Sequence, residues 1–203
     1  MMKTMTVVLA SRNKGKIAEL DRLLRAELGD RITLKSLDDI GFLEEIEENG
    51  ATFSENALIK ASAIAARGYI ALADDSGLCV EALDGEPGVY SARYAGEHGN
   101  DAANNALLLR NLAGVENRRA AFVCAFACVF PDGRTPILAE GRVEGEILTA
   151  PRGSGGFGYD PLFYYPPLEK TLAEIGKEEK NSISHRGAAV RAFAAKLAAA
   201  MKG

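Results

Sequence analysis

Apolar runs separated by polar punctuation divide the chain into alternating short strands and longer helices. "TVVLA" (6–10) reads as a short buried strand, and the polar stretch "SRNKGK" behind it leads into a helix. In that helix Ile17, Leu20, Leu24 and Leu28 recur at the spacing that places all four on one face. "ITLKSL" (32–37) is a second strand. In "TFSENALIKASAIAARG", Thr52 and Glu55 have capping-box spacing and Gly68 supplies a stop, which predicts a helix between them. "YIALA" (69–73) follows as a buried strand that delivers Asp74 and Asp75 to a turn built from Ser76 and Gly77.

The second half changes style. "NDAANNALLLRNLAG" is helical, and in "AAFVCAFACVF" (120–130) Phe122, Cys124, Phe126, Cys128 and Phe130 alternate with smaller residues, as in a long half-buried or central strand. Turn chemistry at "PDGR" hands over to "PILAEGRVEGEIL", read as the next antiparallel strand. A loop containing "FYYPP" follows the glycine-rich "PRGSGGFGYDP". Thr171 and Glu174 repeat the capping spacing, and "SHRGAAVRAFAAKLAAAM" is a final helix with Ser184 at its N-cap. The expected fold class is therefore α/β: one domain of two lobes around a substrate cleft, with a long central sheet, mostly mixed or antiparallel, flanked by helices.

Composition narrows the functions. A chain of 203 residues buries a core without staples. The net charge of −4 argues against a broad nucleic-acid footprint while allowing a local basic pocket for one anionic metabolite. Cys79, Cys124 and Cys128 form no even framework. In a strand the last two stand about 13 Å apart at ~3.3 Å per residue, too far for a disulfide. With only His98 and His185 beside them there is no zinc pattern either, so buried thiols in a reducing compartment are expected. The N-terminal "MMKTMTVVLASRNKGK" has an apolar segment too short for a signal peptide, and no window reaches membrane-spanning length, which predicts a cytoplasmic protein without membrane contact.

Four segments carry chemistry. "SRNKGK" puts Ser11, Arg12, Asn13, Lys14, Gly15 and Lys16 at a strand-to-helix turn, where backbone N–H groups and the helix dipole favour an anion, although the GxxxxGK[ST] spacing of a Walker loop is absent. A polar helix entry with exposed lysines explains the same residues. "GSGGFG" matches GxGxxG, but the following Tyr159-Asp160-Pro161 forbids the helix that a dinucleotide fingerprint must open. What remains is a loop that presents Phe157 and Tyr159 beside Asp160, for stacking on a planar base or as a plug into the core. "KEEKNSISHRG" brings Lys177, Lys180, His185 and Arg186 to a helix start, where Arg and His could donate to the O6/N7 edge of a 6-oxopurine or simply pair with Glu178 and Glu179. Asp74 and Asp75, with Glu44, Glu45, Glu47 and Glu48, are the dense sources of oxygen ligands for the Mg²⁺ that normally accompanies a polyphosphate. In a strand end their side chains point oppositely, so one aspartate can face a metal or water while the other braces the loop.

"SRNKGK", "EENGATFSENALIKA", "LADDSGL", "PGVYSARYAG", "GGFGYDPLF" and "EEKNSISHRG", in this order, resemble the inosine triphosphatase or Ham1-like family of purine nucleoside triphosphate pyrophosphatases over nearly the whole chain. The resemblance implies a two-lobed α/β fold, a homodimer, Mg²⁺, and cleavage of ITP, dITP and XTP to the monophosphate and pyrophosphate. Carried over by position, Ser11 to Lys16 hold the phosphates with Lys60 nearby, and Asp75 is general base and metal ligand. Glu47 is the other metal ligand, with Glu48 adjacent and Asp74 in support. Ser76 contacts substrate, while Phe157, Gly158, Tyr159 and Asp160 with Lys180, His185 and Arg186 hold the base and its edge. Two rivals remain at this stage: a hydrolase that attacks the terminal phosphorus, and a nucleotide-binding module without turnover.

Overall fold

A computed structural model describes residues 4–200, without the side chain of Lys177. The start of the N-terminal segment, Met1 to Lys3, and Met201 of the expected last helix lie outside the described residues. Among the described residues seven strands form one sheet in the order β2-β1-β3-β4-β5-β6-β7. They are β1 (Met5–Leu9), β2 (Ile32–Lys35), β3 (Ala71–Val80), β4 (Arg119–Val129), β5 (Ile137–Ile147), β6 (Phe163–Tyr165) and β7 (Lys170–Thr171). The helices are α1 (Lys14–Leu28), α2 (Phe53–Ala65), α3 (Asp101–Asn111), α4 (Lys177–Ile183) and α5 (His185–Ala200). β1 runs parallel to β2 and β3, whereas β6 is antiparallel to β5 and β7, so the sheet is mixed as the sequence predicts. Among the described residues no helix is long and apolar enough to cross a membrane.

Two compact units divide the chain. The first takes residues up to Asp75 together with Cys124–Gly141 and the chain from Gly187 onward, and it has a core on each face of its strands. Val7, Leu9, Leu72, Cys124, Phe126 and Cys128 meet α1 (Leu20, Leu24, Leu28) and α5 (Val190, Phe193, Leu197). Val8, Ala71, Ala73 and Ala127, the residues of opposite parity, meet α2 (Ala57, Ala61, Ile64). This is the period of two of a strand with helices on both sides. The second unit, Ser76–Val123 and Arg142–Arg186, has its own core of Leu78, Val80, Leu108, Phe122, Ile147 and Phe163.

The helix signals hold at α1, α2 and α3. Leu20, Leu24 and Leu28 are buried with Ile17 partly so, and both arms of the Thr52–Glu55 capping box are made. β4 is buried throughout from Ala120 to Cys128, as a central strand between β3 and β5. Three expectations change. Asp74 to Gly77 do not form a turn, because β3 continues unbroken to Val80, and the turn preference of Asp, Ser and Gly yields to sheet pairing. "FYY" is the short strand β6 rather than loop. The Thr171–Glu174 pair opens no helix. Glu174 Oε2 accepts from Thr171 N at 2.8 Å, half of a capping box, while Thr171 Oγ1 donates to Arg152 O and α4 starts only at Lys177.

Candidate active site

β1 ends at Leu9 while β3 runs on, so the two aspartates lie just past the carboxyl end of β1, the side on which open parallel sheets take ligands. Parity then decides what each carboxylate meets. Asp74 follows Leu72 onto the face of α1 and α5, where its Oδ2 stands 3.1 Å from Lys16 Nζ and 3.9 Å from Cys124 Sγ. Asp75 follows Ala71 and Ala73 onto the face of α2, where its Oδ2 accepts from Asn56 Nδ2 at 3.0 Å and its Oδ1 lies 4.0 Å from Lys60 Nζ. Two neighbouring residues thus address lysines from two different helices. Asp74 is buried, whereas Asp75 keeps 15% of its side chain exposed. Burial pushes the Asp75 carboxyl above its ordinary value, opposed by Lys60 and by the Asn56 hydrogen bond and reinforced by the charge of Glu48.

The loop before α1 is a side-chain-capped helix entry. Asn13 caps the helix through Oδ1, which accepts from Lys16 N at 3.0 Å, and Ser11 Oγ accepts from Asn13 N at 3.2 Å. Lys14 and Gly15 open the helix on its exposed side. Arg12, expected at the phosphates, donates from Nη2 to the carbonyls of Phe42 at 2.8 Å and Glu44 at 3.0 Å, which tethers the acidic loop. On that loop, where Glu47 and Glu48 are both exposed, Glu48 Oε2 meets Lys60 Nζ at 2.7 Å. Lys60 therefore faces both Glu48 and Asp75, two hard oxygen donors from different elements.

The second unit gathers the other candidates. Phe157 is 59% exposed, with Lys180 Nζ 4.8 Å and Arg186 Cζ 5.9 Å from its ring centre. Asp160, buried, accepts from Phe157 N at 2.8 Å and pairs closely with Lys180. A side chain at Gly156 would run into the Asp160 carboxylate, so this turn admits only glycine there. Gly158 is gripped by α3: its N–H donates to Asp101 Oδ2 at 2.7 Å and its carbonyl accepts from Asn105 Nδ2 at 2.9 Å. Of the two aromatics Tyr159 is the plug, 4% exposed with its hydroxyl donating to Ser91 O at 2.8 Å, and Phe157 is the displayed ring. His185 stacks on Phe122 at 5.0 Å, and Arg186 Nη2 donates to Ser76 Oγ at 3.2 Å. The side chain of Lys177 lies outside the described residues.

The model of the Ham1 family matches residues 7–196. The chain belongs to the Ham1 family. It is 50% identical over 200 residues to a dITP/XTP pyrophosphatase of an Exiguobacterium species, covering 98% of this chain and 100% of that protein. With a dITP/XTP pyrophosphatase of Geobacter sulfurreducens it shares 52% identity over 187 residues, 91% of this chain and 92% of that protein. The solved Staphylococcus aureus Ham1 protein superposes with a TM-score of 0.88 at 43% identity, over 96% of this chain and 99% of that one. A nucleoside-triphosphatase / dITP/XTP pyrophosphatase of Mycobacterium abscessus does so with a TM-score of 0.77 at 46% identity, over 98% and 100%. The likeness covers residues of both units.

Reading the sequence missed three side chains that shape these clusters, Asn56, Asp101 and Asn105, and the tethering role of Arg12. One signal was available. Asn56 and Lys60 lie four apart among Ala57, Ala61 and Ile64, so two polar residues share the buried face of α2. Asp101 and Asn105 have the same spacing on α3, but nothing local tells that a loop more than fifty residues on will reach them.

Proposed function

We propose that this Ham1-family chain hydrolyses dITP, XTP and ITP to the nucleoside monophosphate and pyrophosphate. The observation that carries the reading is the division of Asp74 and Asp75 between Lys16 and Lys60 at the carboxyl end of β1. It puts a braced cation and a partly solvated carboxylate beside the helix entry that suits phosphate. Relatives 50% and 52% identical to this chain bear the name dITP/XTP pyrophosphatase, which supports the substrate class.

In this reading Ser11, Asn13, the backbone N–H groups at Lys14 and Gly15, and the ammonium groups of Lys16 and Lys60 take the phosphate chain. Arg12 serves by anchoring the acidic loop. Asp75 accepts a proton from water as the water oxygen bonds to the α-phosphorus. The bond from that phosphorus to the bridging oxygen breaks, and pyrophosphate leaves with the electron pair. The lysines and the N-terminus of α1 neutralise the charge that develops on it. Phe157 stacks on the purine, and Lys180, His185 and Arg186 offer donors that a 6-oxo group satisfies and a 6-amino group does not. Asp160 holds Lys180, and Ser76 orients Arg186.

The donor set suits Mg²⁺: two carboxylates, Glu48 and Asp75, to be completed by phosphate oxygens and water, rather than an all-protein cage. Among the described residues no group of three or more His, Cys, Asp or Glu is placed to hold a metal by itself. Glu48 is preferred to Glu47 as ligand because it is the one whose carboxylate meets Lys60. When bound, the ion screens the phosphate charge. The resemblance further supports a homodimer acting in the cytoplasm, which light scattering and fractionation check.

Product analysis tests the proposal. Purified protein with dITP, XTP or ITP and Mg²⁺ is expected to release pyrophosphate and monophosphate in equal amounts. Orthophosphate as first product assigns the chain to terminal-phosphate hydrolysis, and binding without turnover to a sensor.

A further inference from the structure

We propose that Asn56 is a positioning residue for Asp75, holding its carboxylate through an amide whose orientation is set by the backbone N–H of Gly50. The inference rests on the role given to Asp75 above and adds a residue that this role does not name.

Asn56 is 2% exposed, and both ends of its amide are engaged. Oδ1 accepts from Gly50 N at 2.8 Å, and Nδ2 donates to Asp75 Oδ2 at 3.0 Å. Gly50 N–H can only donate and an ionised carboxylate can only accept, so the reverse orientation would oppose two donors at one end and two acceptors at the other. One orientation is therefore enforced, and with it a donor aimed at Asp75. The strut stands on a fixed base, since Asn56 lies in the first turn of α2, whose entry the Thr52–Glu55 capping box determines.

Gly50 is part of the device. A Cβ there would stand 2.7 Å from Asn56 Oδ1, 2.7 Å from Glu55 Cβ and 3.0 Å from Asn56 N, so any side chain pushes the loop off the helix. Gly50 also closes the acidic loop two residues after Glu48, whose carboxylate meets Lys60 one helical turn beyond Asn56. The same face of α2 thus sets the position of Asp75 directly and that of Glu48 through the loop. A base that must meet water in line with phosphorus gains from such restraint, because a displacement of ~1 Å costs on the order of 100-fold in rate.

The test compares kcat and KM for dITP in Asn56→Leu, which is close in volume and removes both hydrogen bonds, with Asp75→Asn and Phe157→Ala alongside. Asn56→Leu is expected to lose about 10- to 100-fold in kcat with KM within about threefold, the signature of a misplaced reacting group. Its crystal structure should show the Asp75 carboxylate turned from its present position. A purely scaffolding role predicts a lower melting temperature and unchanged turnover per folded molecule. Folded Asn56→Leu with kcat within about threefold of wild type, beside an inactive Asp75→Asn, overturns the inference and leaves the functional reading standing. Full activity in Asp75→Asn overturns both. Should Asn56→Leu not fold, Gly50→Ala carries the same measurement, with the same kcat loss expected and wild-type kcat overturning the proposal.

Discussion

Lys16 Nζ lies 3.1 Å from Asp74 Oδ2, with 23% of the lysine side chain and 1% of the aspartate side chain exposed. A carboxylate shielded from water holds the ammonium group at the entry of α1. Asp74→Ala leaves that amine beside the apolar face of α1 without its partner and is expected to destabilise the fold by about 3 kcal/mol, the low end for breaking a buried pair because Lys16 keeps part of its hydration. Urea titration followed by far-UV circular dichroism measures this. A loss below about 1 kcal/mol would place the pair among weak surface bridges.

Asp75 should show the opposite balance. Its carboxyl is pushed above the ordinary value of 3.8, chiefly by burial, so the folded protein holds the proton more tightly than the unfolded chain does. Stability therefore falls as pH rises from that value through the raised folded one, and ionised Asp75 costs stability at neutral pH. Asp75→Asn is expected to melt higher than wild type at pH 7 while losing turnover by orders of magnitude. In calorimetry at descending pH the gain in melting temperature should shrink and vanish below the unfolded value. A variant that melts lower at pH 7 contradicts the sign.

Arg186 is 4% exposed and approaches the ring of Phe157 to 5.9 Å. If its guanidinium reads the 6-oxo edge, Arg186→Ala reduces the ratio of kcat/KM for ITP over ATP by at least roughly tenfold, as when a donor built for one group is removed. Parallel assays with both triphosphates decide it. An unchanged ratio passes the role to another donor.

Asp101 and Asn105 together hold both backbone groups of Gly158. Asp101→Ala removes one hydrogen bond, worth about 1 kcal/mol, and should speed amide exchange at Gly158 while the amides of β4 remain protected. Hydrogen–deuterium exchange resolved by fragment reports both segments at once. Equal protection in the variant would mean that Asn105 and Asp160 hold the loop without Asp101.

Cys124 and Cys128 are buried, and burial pushes the Cys128 thiol up to about 12. At pH 8 neither should react with a thiol reagent on the timescale that modifies a solvent-exposed cysteine, so native protein takes up at most one equivalent, at Cys79, and denatured protein three.

Much of the fold was legible because its signals are local. The apolar stripe of α1, the capping box of α2 and the alternation in "AAFVCAFACVF" each depend on residues a few positions apart. The errors came where the same local grammar met a distant partner. "DDSG" has the composition of a turn, yet β3 runs through it because the neighbouring strands supply ladder hydrogen bonds that outweigh local side-chain bonds. The capping spacing of Thr171 and Glu174 formed halfway, since Thr171 Oγ1 found Arg152 O instead of a helix.

By itself the sequence determined most of the elements, the α/β class and the inventory of chemical groups: adjacent aspartates, lysines at helix entries, and a glycine-flanked phenylalanine. Which lysine each aspartate meets was decided by tertiary structure, because strand parity sends Asp74 toward α1 and Asp75 toward α2 only once helices occupy both faces of the sheet. The packing likewise made Arg12 a tether and Asn56 a strut. Hydrogen-bond partners dozens of positions away are selected by the geometry of the fold, and nothing in the neighbouring residues encodes them.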